Sequence, residues 1–206
     1  FVGGINIIDD RLDIHHGWSD LPRLDYAVEV RGPVVAPMEQ TVRALWMRSH
    51  LGRDWRDELV ELARSSYPMA RARRLLRRLR TTRWQVVEQA LNDPRPMRAA
   101  FVVRDNLKQR RTIERAYIEA IRGARQRVDL VSPYFYPGRA FRRALRHAAQ
   151  RGVQVRVLLQ GKVDYRMAAL AAQALYDEML AHGIRIFEYT PAFLHAKVAV
   201  VDDDWA

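Results

Sequence analysis

A histidine and a lysine near the carboxyl end carry the sharpest chemical signal in the sequence. His195 and Lys197 flank a single alanine, and Asp202 follows, which gives the pattern H-x-K-x-x-x-x-D. Because alternate residues of a strand share one face, a strand here would place the imidazole beside the ammonium. An imidazole can attack phosphorus or transfer a proton, and an ammonium stabilises negative charge on phosphoryl oxygens. Asp202 could orient a histidine or balance the lysine.

Lys197 is also unusual for its residue type. The chain has 206 residues, of which three are lysines and 32 are arginines. A lysine is a compact point charge, whereas an arginine is a planar fork, so the two are not interchangeable. A lone histidine and lysine at a strand end are more often ordinary surface residues. The rarity of lysine and the apolar strand that follows favour the chemical interpretation.

The elements that must position this pair follow a regular alternation after residue 97. Short β-branched segments alternate with segments of helical periodicity, which is typical of an α/β layer structure with a mixed sheet flanked by helices. Strands are predicted over 99–103, 128–131, 153–159, 184–189 and 196–201, and helices over 112–125, 141–150 and 167–181.

The amino-terminal half reads differently. A period of two predicts a half-buried strand over 24–31, and helical spacing predicts helices over 37–50 and 54–64, with Asp54 as the N-cap of the second. Apolar residues then recur at three- and four-residue intervals among arginines, which predicts a basic amphipathic helix over 69–91.

Most of the positive charge lies in one segment. The formal net charge is +11, and the stretch from Leu62 to Val87 holds eight arginines and no acid. Basic amphipathic helices lie on anionic membrane surfaces. The alternative is a solvated connecting helix whose apolar stripe packs on the domain. Nucleic acid is disfavoured, because no aromatic interleaving or recognised binding motif accompanies the charge.

The composition excludes several classes of site. The chain has no cysteine, which excludes disulfides, thiolate zinc sites and a cysteine nucleophile. No run of 18 apolar residues is present, so a membrane contact made by this stretch would be peripheral. His15 and His16 lie near Asp9, Asp10 and Asp13, but without a fixed ligand spacing. We expect neither a metal nor another cofactor.

The pattern at His195 resembles the catalytic motif of the phospholipase D superfamily, in which two copies meet at one active site. In that family Gly-Gly or Gly-Ser, followed by Asn, lies downstream of each Asp. Within the superfamily the sequence resembles bacterial cardiolipin synthases over most of its length except the arginine-rich stretch. The resemblance rests on Phe1 to Asp10, Gly17-Trp18-Ser19-Asp20, Val30 to Val35, Ser132-Pro133-Tyr134-Phe135 with Pro137-Gly138, Arg151 to Val155, and Phe193 to Lys197.

The resemblance also predicts how the chain is divided. Residues 1–36 would be the end of a first phospholipase D-like repeat, 37–96 a helical, arginine-rich connection, and 97–206 a second repeat cut after its motif aspartate. Phe1 to Asn6 would be the tail of the first motif, whose own His, Lys and Asp would precede residue 1. The chain would then be a fragment.

The resemblance implies a metal-free, two-step phosphatidyl transfer. One histidine attacks the phosphodiester to form a phosphohistidine, and the partner histidine protonates the leaving alcohol and then deprotonates the incoming one. His195 could be either histidine. Lys197 should contact the non-bridging oxygens, with polar contacts from Asn6 and Gly4.

Two further residues are candidates for the substrate pocket. Tyr134 follows the strand predicted over 128–131, at the edge where sites in α/β sheets collect. It could line a lipid-headgroup pocket or simply pack at the rim. Glu188 lies shortly before the motif and could reach the site or be a solvated strand residue.

The resemblance implies a phosphatidyl transferase that makes cardiolipin from phosphatidylglycerol at the bacterial cell membrane, held there peripherally or by segments not included. Its partners would be anionic phospholipid, the membrane surface and the second motif from upstream sequence. One alternative is a phospholipase D-type phosphodiesterase that passes the intermediate to water. A catalytically silent module that binds membrane or nucleic acid is the other.

We predict that His195→Ala abolishes turnover in the full-length protein and leaves folding intact, because the change removes the reactive imidazole and nothing else. Phosphodiester turnover and the melting temperature measure the two halves of this prediction. A folded variant that kept its activity would remove His195 from the mechanism.

Overall fold

The computed structural model describes residues 1–5, 8–13, 17–78, 85–88, 98–104, 109–162 and 175–206. These form two compact units. One unit joins Phe1–Glu29 to Glu114–Ala206, and the other is Val30–Ile113. The amino-terminal segment therefore folds with the carboxyl-terminal region, although more than eighty residues separate them in sequence.

The secondary structure alternates between short strands and helices. The strands are β1 (Val2–Gly3), β2 (Leu12–Asp13), β3 (Gly17–Trp18), β4 (Ala27–Val28), β5 (Gln85–Glu88), β6 (Arg98–Phe101), β7 (Arg127–Ser132), β8 (Gln154–Gln160), β9 (Arg185–Tyr189) and β10 (Val198–Val201). The helices are α1 (Val35–Arg64), α2 (Pro68–Arg78), α3 (Thr112–Gly123), α4 (Arg139–Gln150) and α5 (Tyr176–Leu180).

A four-stranded mixed sheet organises the first unit. Its strand order is β10-β7-β8-β9, with β7, β8 and β9 parallel and β10 antiparallel to β7. Successive residues of β7 and β8 alternate between buried positions and more exposed ones over most of each strand, as expected of a strand with one fully covered face. The predicted fold class, a mixed sheet flanked by helices, is confirmed.

The core lies between this sheet and its helices. Its largest fully buried side chains come from α3, α4, α5, β7, β8 and the position just before β9, and they form one cluster. They are Ile121, Leu145, Met179, Ile184, Val128 and Val157. Each such side chain contributes about 1.5–3 kcal/mol relative to exposure. The strands and helices predicted after residue 110 are found with ends shifted by at most two residues, except the helix over 167–181, of which the structure describes only α5.

Arg151 ties two of these helices together. Its guanidinium donates to the carbonyl oxygens of Ile121, Arg122 and Ala124, at 3.3, 3.1 and 3.0 Å. These carbonyls lie at the carboxyl end of α3, where no further turn of helix can satisfy them. Gly152 follows with a φ of +89°, a left-handed conformation that suits glycine and ends α4.

The second unit corrects two predictions. The segments 37–50 and 54–64 form one helix, α1, of 30 residues, so Asp54 is inside a helix and is not an N-cap. Glycine at position 52 lowers helix stability by about 1 kcal/mol but does not end the helix. The helix predicted over 69–91 is found as α2 in its first part and is wrong at 85–88, where β5 pairs antiparallel with β6. The rest of that range lies outside the described residues.

The strand predicted over 24–31 is also shorter than expected. Only β4 is regular, and it pairs antiparallel with β1. Leu24 instead makes an isolated parallel bridge with Leu194.

Across the described ranges, no helix combines the length and the apolar character needed to cross a membrane.

Asp202 closes the sheet at the end of β10. Its carboxylate accepts hydrogen bonds from the backbone N–H groups of Arg125, Gln126 and Arg127, at 2.9, 2.8 and 2.9 Å. These donors hold the pKa of the Asp202 carboxyl below its usual range, with Arg127 the largest contributor. The residue has a φ of +51°, which aspartate tolerates better than most residues. Asp202 therefore fastens the end of β10 to the start of β7.

We predict that Asp202→Asn lowers the melting temperature at neutral pH. The ionised carboxylate is the form that the backbone donors favour, so its contribution is present above the ordinary aspartate pKa of about 4 and is lost as the pH falls through the lower pKa of the folded state. Melting curves across the acid range should show a smaller pH dependence in the variant than in the parent. Asp204→Asn, two residues away on the exposed surface, is the matched control, and an equal effect there would contradict the role of Asp202.

Candidate active site

Backbone pairing brings two distant segments together at the carboxyl edge of the sheet. The N–H of Leu24 donates to the carbonyl of Phe193 at 2.9 Å. The carbonyl of Leu24 accepts from the N–H groups of His195 and Ala196, at 2.9 and 3.1 Å. The segment around Leu24 therefore lies alongside the residues that lead into β10, and the next side chain, Asp25, is delivered to His195.

Asp25 fixes the histidine ring. Its carboxylate oxygen Oδ2 lies 2.7 Å from Nδ1 of His195, and its Oδ1 accepts from the N–H of Tyr26 at 2.8 Å. The side chain of Asp25 is 11% exposed and that of His195 is 36% exposed. A carboxylate only accepts hydrogen bonds, so Nδ1 must carry the proton, and a neutral imidazole then has its lone pair on Nε2.

Lys197 lies beside that free nitrogen. Its Nζ is 3.4 Å from Nε2 of His195 and donates to the carbonyl oxygen of His195 at 3.0 Å. The side-by-side placement of the two residues, predicted from their spacing, is confirmed. The lysine is exposed, so a phosphoryl group at Nε2 would meet the ammonium without displacing packed atoms.

Two glycines allow the amino-terminal strand to approach the segment that carries Asp25. A Cβ on Gly3 would lie 2.4 Å from the carbonyl oxygen of Tyr26 across the β1–β4 pairing. A Cβ on Gly4 would lie 3.1 Å from both carboxylate oxygens of Asp25. The Gly4 backbone therefore lies against the carboxylate that orients His195. Asn6, the other candidate from this strand, lies outside the described residues.

Gln160 holds the segment that precedes the histidine. Its side-chain oxygen accepts from the N–H of Leu194 at 2.9 Å. Leu194 and Ala196, on either side of His195, are 2% and 0% exposed. Because both neighbours are buried and the backbone between them is bonded on two sides, the histidine projects from a fixed position.

The third residue of the pattern lies elsewhere. The pairing of Val198 with Val131 and of Val201 with Val128 runs β10 along the length of β7. His195 and Lys197 precede β10, whereas Asp202 follows it, so the two groups lie at opposite ends of the strand. The Asp202 carboxylate is hydrogen-bonded to backbone N–H groups, and it is Asp25 that orients the His195 ring.

The two pocket candidates occupy different strands. Tyr134 follows β7, at the edge where His195 lies, and is 39% exposed. Its carbonyl accepts from the Ser132 hydroxyl at 2.7 Å. Glu188 lies on β9, which two strands separate from β10.

Glu188 has a partner of its own. The Tyr176 hydroxyl donates to its carboxylate at 3.2 Å. Burial, with the charge of Glu188, raises the pKa of Tyr176 to about 12, so the phenol stays protonated and keeps donating.

Metal ligands do not cluster in the part of the chain that the structure describes. No group of three or more His, Cys, Asp or Glu side chains there could hold a metal ion. His15 and His16 lie outside the described residues.

Sequence reasoning missed Asp25 and Gln160. Both are polar residues in segments whose other residues have the periodicity of strands. Nothing in the distance of either residue from His195 along the sequence indicates a contact. A signal existed for Asp25: a catalytic histidine needs a partner at its second nitrogen, and an aspartate flanked by Leu24 and Tyr26 is a candidate. Without the pairing of the two segments, however, no residue type distinguishes it from the other aspartates of the same region.

We predict that Asp25→Asn lowers kcat for phosphodiester turnover by about 10²- to 10⁴-fold with little change in KM, because an amide can stabilise the wrong tautomer and cannot stabilise the imidazolium. Steady-state kinetics and the kcat–pH profile of the full-length protein measure this effect. Asp20→Asn, an exposed change in the same segment, is the matched control. An Asp25 variant with the kcat of the parent would exclude the positioning role.

Comparison with known proteins identifies the family that this chain resembles. Residues 117–206 match the family model described as cardiolipin synthase, PLD-like domain. The chain is 31% identical to cardiolipin synthase B of Salmonella typhi, in a match that covers 100% of this chain and 43% of that protein. It is 32% identical to cardiolipin synthase A of Pseudomonas putida GB-1, over 99% of this chain and 36% of that protein. The chain thus spans less than half the length of these curated relatives.

Among solved structures, a phospholipase D family member, Nuc from Salmonella typhimurium, is 23% identical over 44% of this chain and 58% of that chain, with a TM-score of 0.37. The family model and the curated relatives together confirm the resemblance drawn from the sequence. The chain belongs to the phospholipase D superfamily and is cardiolipin synthase-like.

Proposed function

We propose that this chain supplies one catalytic half of a phosphatidyl transferase that joins phospholipids through a phosphohistidine. The observation that carries the proposal is the arrangement at His195. Asp25 holds Nδ1 at 2.7 Å, and Lys197 lies 3.4 Å from Nε2. A histidine that acts as nucleophile or acid/base needs an accessible ring nitrogen, and a neighbouring cation stabilises the charge that develops on the phosphoryl oxygens.

In the first step one histidine nitrogen attacks the phosphorus of a phosphatidylglycerol. A nitrogen–phosphorus bond forms, and the bond from phosphorus to the oxygen of the head-group glycerol breaks. A second histidine, in its protonated form, gives its proton to the leaving glycerol. The phosphatidyl group is then held on the enzyme as a phosphohistidine.

In the second step a glycerol hydroxyl of another phosphatidylglycerol attacks the same phosphorus. Its proton passes to the second histidine, the nitrogen–phosphorus bond breaks, and cardiolipin leaves. His195 fits either role. Its Nε2 is available for attack, and Asp25 would stabilise the imidazolium that the acid/base role requires.

Lys197 supplies charge to both steps. Negative charge on the non-bridging oxygens must be balanced as the phosphoryl group is transferred, and a positioned cation contributes most where water is excluded. We propose that two such lysines, one from each copy of the pattern, balance it without a metal or another cofactor. Gly4, Asn6, Tyr134 and Glu188 remain our candidates for substrate contacts.

The second histidine must come from another copy of the pattern. The sequence contains H-x-K-x-x-x-x-D once, and cardiolipin synthase B of Salmonella typhi extends well beyond the 43% of its length matched here. We propose that the partner histidine belongs to a first repeat upstream of Phe1. We propose that the assembled enzyme acts at the bacterial cell membrane, where its phospholipid substrates are.

We predict that the full-length protein converts phosphatidylglycerol to cardiolipin and glycerol in equal amounts, as transfer between two substrate molecules requires. Thin-layer chromatography or mass spectrometry of the lipids, with an assay for glycerol, measures both products. His195→Ala is the negative control. Phosphatidic acid and glycerol without cardiolipin would identify a hydrolase instead, and no lipid product would favour a catalytically silent binding module.

A further inference from the structure

One face of α2 combines apolar and cationic side chains. Met69 and Leu76 are 69% and 63% exposed, and they lie two helical turns apart on this face. Arg73 and Arg77 occupy the same side of the helix and are exposed. All five charged residues of α2 are arginines. The face is therefore apolar along its centre and positive beside it.

The neighbouring part of α1 exposes a second apolar stripe. Val42, Leu45 and Trp46 share one face and are 64%, 52% and 64% exposed. Thr41 and Ala44, on the opposite side of the helix, are 3% and 0% exposed. Around residues 41–46, α1 thus buries small side chains and exposes large apolar ones, which reverses the usual pattern of a surface helix.

A groove of about 690 Å³ joins the two faces. It is lined by Val42, Arg43, Trp46 and Met47 of α1 and by Arg77 of α2, among others. Its lining is mixed: Val42, Trp46 and Met47 are apolar, whereas Glu39, Gln40 and the guanidinium-bearing Arg43 and Arg77 are polar. Arg43 is paired with Glu39 one turn earlier on α1, whereas α2 carries no acid that could neutralise its own arginines.

We propose that the face formed by Val42, Leu45, Trp46, Met69, Arg73, Leu76 and Arg77, called here the α1–α2 face, docks onto an anionic phospholipid surface. The apolar side chains would enter the boundary between headgroups and acyl chains, where tryptophan is favoured. The arginines would lie at the level of the lipid phosphates, since their long stems can pack on apolar surface while the charge stays in the polar layer.

The chemistry of this face fits lipid better than nucleic acid. Single-stranded nucleic acid is bound by aromatic platforms along a positive groove. On the α1–α2 face the large side chains are chiefly aliphatic, with one tryptophan. Aliphatic groups gain little from stacked bases but are stabilised by leaving water for an acyl layer.

This inference rests on the proposed function, since an enzyme that joins phospholipids must reach them in a bilayer. Binding can nevertheless be measured separately from turnover. The full-length protein would be mixed with vesicles of phosphatidylcholine, with or without one quarter phosphatidylglycerol. The bound fraction would be determined by flotation. We expect binding that requires phosphatidylglycerol and weakens as the salt concentration rises.

Two variants test the two components of the face. Arg73→Gln with Arg77→Gln should weaken partitioning by about 30-fold, because each basic group near an anionic surface contributes about fivefold. Trp46→Ala should weaken it several-fold at any salt concentration. All three residues are exposed, so the melting temperature should stay the same. The matched controls are Arg139→Gln with Arg143→Gln on α4, and Trp18→Ala on β3, where the indole is 70% exposed. Both controls should bind like the parent.

The results separate the two proposals. His195→Ala should bind vesicles like the parent, so vesicle binding without cardiolipin synthesis would overturn the function and keep the docking face. Normal vesicle binding by the α1–α2 variants would overturn the docking face and leave the function standing. Equal losses in the α4 and β3 controls would overturn it too. The docking face would also be overturned if the protein bound a single-stranded RNA but not vesicles, and if the arginine variant lost that RNA binding.

Discussion

The hydrogen bonds between Leu24 and the residues before β10 are the constraint on which the site depends. They are backbone bonds, 2.9–3.1 Å long, so they fix the position of the chain whatever side chains it carries. Because Asp25 follows Leu24 directly, the same pairing delivers a carboxylate to Nδ1 of His195. The ring is thereby oriented, the proton is placed on Nδ1, and Nε2 is left beside Lys197 for chemistry. The Gly4 backbone also lies against that carboxylate, so three segments meet at Asp25.

The three residues of the H-x-K-x-x-x-x-D pattern have two different roles, one at the site and one in the sheet. His195 and Lys197 stand at the edge where β7, β8 and β9 end, and Asp202 stands at the edge where they begin. The spacing between Lys197 and Asp202 is the length of β10, which runs antiparallel to β7. The aspartate binds three backbone N–H groups and closes the far end of the strand. Its contribution to the site is indirect, because a strand fastened at one end holds the residues at its other end.

The positive charge of the chain is likewise divided in two. One lysine lies at an oriented histidine, where a single compact cation can balance a phosphoryl group. The helix α2 contains five arginines and no acidic residue, and two of these arginines lie beside exposed apolar side chains, which suits a surface that carries many phosphates. We propose that both features address the same class of molecule, one as a reacting phosphodiester and the other as a membrane surface. The net charge of +11 would therefore reflect membrane binding more than catalysis.

The sequence by itself determined the mixed α/β class, the order of strands and helices after residue 110, and the adjacency of His195 and Lys197. These follow from side-chain periodicity and from a spacing of two, which are local properties. Local patterns failed where two helical segments fused into α1 and where Gln85–Glu88 joined a sheet. Only the tertiary structure decided that Asp25 orients His195 while Asp202 does not. The physical reason is that both assignments depend on which strand ends meet, and pairing between residues 170 positions apart leaves no trace in the periodicity of either segment.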